Sequence, residues 1–349
     1  MPSTNDAAPL LEVTGLAKAF PMRVGRHKQK VPVVEGFSLY MQRGESVGLV
    51  GESGCGKTTV GRTICGLYER DGGTVRIDGH EVGASREDEA LVHKTIQMVF
   101  QDPYTSLDPR KTIADILAEP LKVQRLAPKD QWRELAGKAV ESVGLKRDCL
   151  DRYPFSLSGG QRQRIAIARA LICDPQLVIC DEAVSALDVS VQAQVLNMLA
   201  DLQAKTDVAY LFISHDLAVV RHLCSRIVVM YLGRIVEEAS TDELFSHPRH
   251  PYVEALLSAV PEPDPQRARA KRRVELEGEL PPLTDLPQGC IFSTRCPFAT
   301  KECLAARPQL EECAPGHRVA CTRWRDLQLK GTDELVEAIA APAAPAAES

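Results

Sequence analysis

Residues 51 to 58 read Gly-Glu-Ser-Gly-Cys-Gly-Lys-Thr, a set of residue types suited to holding a polyphosphate. Glycines at 51, 54 and 56 let a loop turn tightly and aim its backbone N–H groups inward as an anion cradle. A lysine at the end of such a loop reaches β- and γ-phosphates, and a following hydroxyl coordinates Mg²⁺. The pattern G-x-x-x-x-G-K-[ST] follows the apolar run Ser46 to Val50 and leads into a helical stretch. That strand–loop–helix setting puts a helix N-terminus against the anion. Nucleotide binding is therefore expected from Gly51, Ser53, Gly54, Cys55, Gly56, Lys57, Thr58 and Thr59, with Lys57 on the phosphates and Thr58 on Mg²⁺.

A second constellation closes the apolar run Leu177 to Cys180, where Asp181 and Glu182 stand together. Carboxylates at the C-terminal end of a buried parallel strand lie where such sheets present their ligands. In partnership with the loop at 51 to 58, Asp181 is expected to hold Mg²⁺ or its water, and Glu182 to act as general base on the attacking water.

Between the two lies Leu157-Ser158-Gly159-Gly160-Gln161, 19 residues before Leu177 when counted from Ser158. Ser158 can N-cap a helix over 159 to 171, and the two glycines permit close approach to a phosphate. With these three motifs in this order, the chain resembles the nucleotide-binding subunits of ABC transporters. The resemblance implies that Ser158, Gly159, Gly160 and Gln161 face the γ-phosphate held by a partner subunit. Further motifs follow in the family's order. Gln101, in VFQDPYTSLDP, resembles the glutamine that senses Mg²⁺ and nucleotide. Ser185 to Asp188 resembles the loop that crosses the dimer interface, and His215, 33 residues beyond Glu182, resembles the switch histidine that orients the γ-phosphate and water. Phe20 is the candidate for adenine stacking, where the family more often has Tyr. Ala183 stands where many members have Pro, which would only rigidify the turn.

These residues need a scaffold. Residues 10 to 100 read as strands around the phosphate loop, with turn signals at Asp71-Gly72-Gly73 and Asp78-Gly79. Residues 102 to 170 carry helical periodicity interrupted by Pro120, Pro128 and Pro154, and strands alternate with helices from 176 to 245. The expected fold is α/β, a P-loop ABC cassette. It has a parallel-sheet core, an antiparallel β subdomain and an inserted helical subdomain at about 102–170, all within residues 1–250. A small Cys-rich extension, 251–330, and a disordered tail rich in Ala and Pro, 331–349, complete it.

Composition narrows the class. The 349 residues carry a net charge of -5 with no basic block long enough to suggest nucleic acid as a bulk partner. The longest apolar runs fall far short of the roughly 20 residues of a membrane span. The N-terminal MPSTNDAAPLLEV lacks a basic region followed by an apolar one, so no secretion signal is expected.

Six cysteines, 55, 65, 149, 173, 180 and 224, are scattered through the cassette and read as small core residues, while the other five fall within residues 290 to 321. Such clustering in a reducing compartment points to metal before disulfide. The HPY at His250 to Tyr252, GCIFSTRCPFATKEC and VACTRW resemble the C-terminal extension of oligopeptide, dipeptide and nickel importer ATPases, and RARAKRR at 267 to 273 lies between. That resemblance implies a [4Fe-4S] cluster on Cys290, Cys296, Cys303 and Cys321, with Cys313 spare. The spacing C-x5-C-x6-C-x17-C lacks the close pairs of structural zinc, so zinc ranks second and free thiols third.

The chain is thus expected to be the ATP-hydrolysing subunit of a peptide importer at the cytoplasmic face of the membrane. The resemblance implies as partners a second ATPase subunit, homologous or identical, two transmembrane permeases and an extracytoplasmic solute-binding protein. Nickel, glutathione or opines are alternative substrates. Rival functions are a soluble ABC ATPase acting on nucleic acid or ribosomes, and an exporter.

Overall fold

The structure, a computed structural model, describes residues 8–24, 27–83, 85–262 and 273–332. The basic run 267 to 273, except Arg273, and the tail from 333 onward lie outside the described residues.

The chain opens with a long antiparallel hairpin, β1 (Leu11–Val24) and β2 (His27–Met41), and then enters the short strand β3 (Ser46–Val50) and helix α1 (Lys57–Ile64). Next come β4 (Gly72–Ile77), β5 (His80–Glu81), α2 (Arg86–Thr95) and β6 (Ile96–Val99). Asp78 and Gly79 both take left-handed φ angles, 52° and 81°, as a tight turn between β4 and β5 requires. The expected turn at Asp71-Gly72-Gly73 is instead the start of β4, because Gly72 pairs with Ala17 across the sheet.

Four helices form the insertion: α3 (Pro103–Ser106), α4 (Ile113–Val123), α5 (Trp132–Ser142) and α6 (Gly159–Leu171). Pro120 does not interrupt α4 but sits inside it, near the C-terminal end. The helix survives because Ile113, Ile116, Leu117 and Leu121 bury one face, and that burial outweighs the one lost backbone hydrogen bond. Pro128 and Pro154 do mark breaks, each at the start of a short 3₁₀ turn. The chain returns through β7 (Leu177–Asp181), α7 (Val189–Thr206), β8 (Ala209–Ser214), α8 (Leu217–Leu223), β9 (Arg226–Tyr231) and β10 (Arg234–Ser240). It ends in α9 (Thr241–Ser246), α10 (Pro251–Ala259), α11 (Lys301–Ala305) and the hairpin β11 (Glu311–Ala314) and β12 (His317–Val319).

Two sheets result. One has the antiparallel order β2-β1-β4-β5; the other runs β11-β12-β10-β9-β3-β8-β7-β6, with β9, β3, β8, β7 and β6 parallel. Strand alternation divides this sheet's two faces between two cores. Val178, Cys180, Tyr210, Phe212, Ile227 and Val229 point to the core shared with the helical insertion. Leu177, Ile179, Leu211, Ile213, Val228 and Met230 point to the core shared with α1 and the antiparallel sheet. Each such side chain contributes roughly 1.5–3 kcal/mol on burial, so the sheet is a rigid base for whatever its ends carry. The extension is fused to the same base, because β12 pairs with β10 and Ile291 and Phe292 enter the core with the insertion.

Candidate functional site

The central strand β3 is buried along its whole length and delivers the chain to the phosphate loop at Gly51. Gly51 and Gly56 are required by shape. Both have left-handed φ, and a Cβ would lie 2.2 Å from Met230 O at Gly51 and 2.8 Å from Val33 O at Gly56. Lys57 is 4% exposed, and its Nζ donates to Gly51 O at 2.7 Å and Glu52 O at 2.9 Å, which curls the loop around the ammonium.

Thr58, the second residue of α1, donates from Oγ1 to Asp181 Oδ1 at 2.8 Å. Asp181 ends β7 with no exposed surface, and its Oδ2 has no partner. Burial is the main cause that pushes its carboxyl above the usual range, and the Thr58 hydroxyl opposes it. A buried carboxylate with an unpartnered oxygen beside a hydroxyl is a donor set suited to a hard divalent cation.

Glu182 has a left-handed φ of 47°, held by its N–H donating to Ile213 O at 2.9 Å. This uncommon backbone state aims the side chain out of the sheet end. Its Oε2 accepts from Gln101 Nε2 at 2.6 Å, and its Oε1 lies 3.2 Å from His215 Nδ1. Gln101 follows β6 and His215 follows β8, so the ends of three adjacent strands supply the trio. Lys57, Thr58, Gln101, Asp181, Glu182 and His215 are thereby brought to one end of the sheet.

The signature residues are not brought there. Ser158 caps α6 in a capping box, its Oγ accepting from Gln161 N–H at 3.3 Å and its own N–H donating to Gln161 Oε1 at 3.0 Å. Gly160 serves packing within the chain, since a Cβ there would meet Val191 at 2.4 Å, whereas a Cβ at Gly159 would meet nothing within 4 Å. Asp188 caps α7 through Val191 N–H at 3.0 Å. Phe20 packs edge-on against Tyr68, with ring centroids 5.3 Å apart, under the Lys18 ammonium.

In the extension, Cys290, Cys296, Cys303 and Cys321 line one cavity, and Cys313 lies apart in β11 with its Sγ 3.3 Å from His317 O. Burial first, then the neighbouring thiols at 290, 296 and 303, pushes Cys321 up to about 12. Among the described residues no group of three or more His, Cys, Asp or Glu side chains is arranged to hold a metal ion, so the cluster expected from the resemblance is not shown. The six cassette cysteines are all buried, as expected of core residues.

Sequence reasoning missed what binds the extension to the phosphate loop. Arg295 pairs with Glu52, and the Tyr252 hydroxyl accepts from Glu52 N–H at 2.8 Å. It also missed a buried pair, Glu237 with His317, 2.8 Å apart and with almost no exposed surface. The HPY motif was visible; that its tyrosine reaches a loop 200 residues earlier was not.

Comparison with known proteins agrees with this geometry. Residues 34–185 match the ABC transporter family, and residues 236–303 match the oligopeptide/dipeptide transporter C-terminal region. The chain is 49% identical to a peptide import ATP-binding protein of Brucella ovis over 90% of its own length and 98% of that protein's. It is 46% identical to the oligopeptide transport ATP-binding protein AppF of Bacillus subtilis, over 89% of its own length and 96% of that protein's. Among solved structures it resembles a dimeric ATP-binding cassette in a post-hydrolysis state bound to ADP and Pi. The TM-score is 0.60 at 26% identity, covering 66% of this chain and 98% of that one. With both family regions matched and nearly the whole length of such relatives covered, the chain belongs to the ATP-binding proteins of the oligopeptide/dipeptide ABC transporter family.

Proposed function

We propose that this chain is the ATP-hydrolysing subunit that powers peptide import across the cytoplasmic membrane. The observation that carries the reading is the convergence of Gln101, Glu182 and His215 beside the Thr58–Asp181 pair. Peptide as cargo is supported by the names of the relatives from Brucella ovis and Bacillus subtilis.

In this reading Gly51, Ser53, Gly54, Cys55, Gly56, Lys57, Thr58 and Thr59 hold the phosphates. Thr58, Asp181 and Gln101 would hold Mg²⁺, which would supply neutralisation of phosphate charge. Glu182 takes the proton of the attacking water, and His215 orients water and γ-phosphate. Both Glu182 oxygens are engaged, one by Gln101 and one by His215. Each carboxylate oxygen keeps a second lone pair, so Glu182 can accept a proton with both contacts in place. Gln101 and His215 are the two residues assigned to Mg²⁺ and the γ-phosphate, so the base is oriented by the groups that meet the substrate.

Ser158, Gly159, Gly160, Gln161 and Asp188 act across a head-to-tail dimer, and Phe20 stacks on adenine. The dimer is supported by the likeness to a dimeric cassette. Its second ATPase subunit is identical or homologous; two transmembrane permeases and an extracytoplasmic solute-binding protein complete the assembly. No helix among the described residues is long and apolar enough to cross a membrane; in this reading the chain is held at the cytoplasmic face by the permeases. Residues 1–250 form the cassette, with the signature subdomain at about 102–170, and 251–330 form the extension.

The four cysteines around one cavity hold a [4Fe-4S] cluster in this reading, a cofactor that would staple an extension poor in regular structure. Anaerobic purification should recover about four Fe per chain.

The decisive test is Glu182→Gln in an assembled complex where this is the only intact site. ATP binding is expected to persist while hydrolysis falls about 10²- to 10⁴-fold; full turnover would remove Glu182 from its role.

A further inference from the structure

We infer that Arg295, in the cysteine loop of the extension, is the counter-charge of the phosphate loop: by neutralising Glu52 it sets that loop's affinity for a polyphosphate. The inference rests on the proposed reading of residues 51 to 58 as the nucleotide site.

Glu52 occupies a position where the loop pattern demands no particular residue, yet each of its polar groups is held by a different part of the molecule. Its C=O accepts from Lys57 Nζ at 2.9 Å, and its N–H donates to the Tyr252 hydroxyl at 2.8 Å. Its carboxylate accepts from Arg295 Nη1 at 3.1 and 2.9 Å. The Arg295 side chain is only 9% exposed and that of Glu52 is 23% exposed, so water screens the pair less than it would a surface pair.

Arg295 is placed rigidly. Its N–H donates to Phe292 O at 3.0 Å, closing a turn, and Phe292 is buried against Tyr231, Tyr252 and His250, with ring centroids 5.2 to 5.5 Å apart. Tyr231 ends β9, the strand beside β3 that feeds the phosphate loop. An aromatic block thus fixes the arginine relative to the sheet. The HPY segment supports the same contact from the other side. His250 caps α10 by accepting from Tyr252 N–H at 3.1 Å, which sets the tyrosine that receives Glu52 N–H.

Placement gives these charges their effect. A carboxylate adjoining Gly51 is a fixed negative charge beside a site built for an anion, within about one Debye length, roughly 10 Å at 0.1 M salt. Unpaired, it repels the phosphates. Paired with Arg295, it leaves the loop's N–H groups and Lys57 to act unopposed.

The test is the dissociation constant of Mg-ATP for the full-length chain, measured by calorimetry at low and high salt. Arg295→Gln should weaken binding about three- to tenfold at low salt, and less at high salt. Glu52→Gln should tighten it, and the double variant Glu52→Gln/Arg295→Gln should return to the wild-type value. A pair that merely held the extension in place would leave the double variant as weak as Arg295→Gln; that result, or an Arg295→Gln variant binding like wild type, overturns the inference. Should Arg295→Gln alone fail to fold, the double variant is compared with Glu52→Gln, and equal affinities overturn it too. Lys57→Ala serves as the separate control. Retained ATP binding there would sink the nucleotide-site reading itself, independently of Arg295.

Discussion

The nucleotide end of the cassette and the cysteine extension are built on opposite principles. At the cassette site, six polar side chains are carried by the ends of buried strands and the helix that follows, and the strands fix their spacing before any of them makes a contact. In the extension, regular structure among the described residues beyond α10 amounts to α11 and a two-stranded hairpin, and position is set by particular buried contacts. Glu237, with no exposed surface, accepts from Arg249 N–H at 2.8 Å and His250 N–H at 2.7 Å and lies 2.8 Å from His317 Nε2. A sheet distributes positional control over many weak terms; the extension concentrates it in a few, each costly to lose.

That difference is open to experiment. The largest effect is expected in the cassette: Glu182→Gln removes the proposed base and should lower turnover about 10²- to 10⁴-fold with little change in unfolding free energy. Denaturation alongside ATPase assay checks both halves. Next is Glu237→Leu, which takes the acceptor from the part-buried Arg249 N–H and the buried His250 N–H and removes the partner of His317 Nε2, and should cost about 3–5 kcal/mol in urea unfolding. Hydrogen exchange should place the loss in β11, β12 and the start of α10. A uniform loss over the cassette would break the contrast.

Gly160→Ala comes third. The added Cβ would press on Val191, and the repacking should cost about 1–3 kcal/mol in thermal unfolding without altering the capping box at Ser158.

The smallest effect concerns Asp71, which accepts from Ala19 N–H at 2.9 Å and pairs with Lys30 and Lys18. These bonds, the backbone one first, hold its carboxyl well below the usual range. A depressed carboxylate contributes stability that is present above its unfolded value near 3.8 and is lost as pH falls toward the folded one. Because Asp71 is largely open to water, Asp71→Asn should cost at most about 1 kcal/mol at pH 7, and the variant should lose less on acidification than wild type. Melting temperatures from pH 7 to pH 3 would show it.

Most of the cassette was legible in the sequence. The helix expected over 159 to 171 forms with Ser158 as its cap, and the Asp78-Gly79 turn forms between two strands. Such features are written in a few neighbouring residues, and local chemistry suffices for them. Pro120 misled because helix propensity is a local rule that tertiary burial of Ile116, Leu117 and Leu121 overrides. The start of β4 at Gly72 misled for a similar reason: its partner, Ala17, lies far back in the chain.

The amino-acid sequence alone determined which residues are the candidates for the chemistry, because the phosphate loop, the acidic strand end and the signature are each contiguous runs whose spacing has meaning by itself. Only the tertiary structure decided how they meet. It brought Gln101 and His215 to opposite oxygens of Glu182 and left the signature turned to its own helix. It also made the extension's Arg295 and Tyr252 neighbours of Glu52, from 243 and 200 residues away. Contacts across such separations leave no periodicity or motif to read, since they arise only when separate strands and helices bury their apolar faces together.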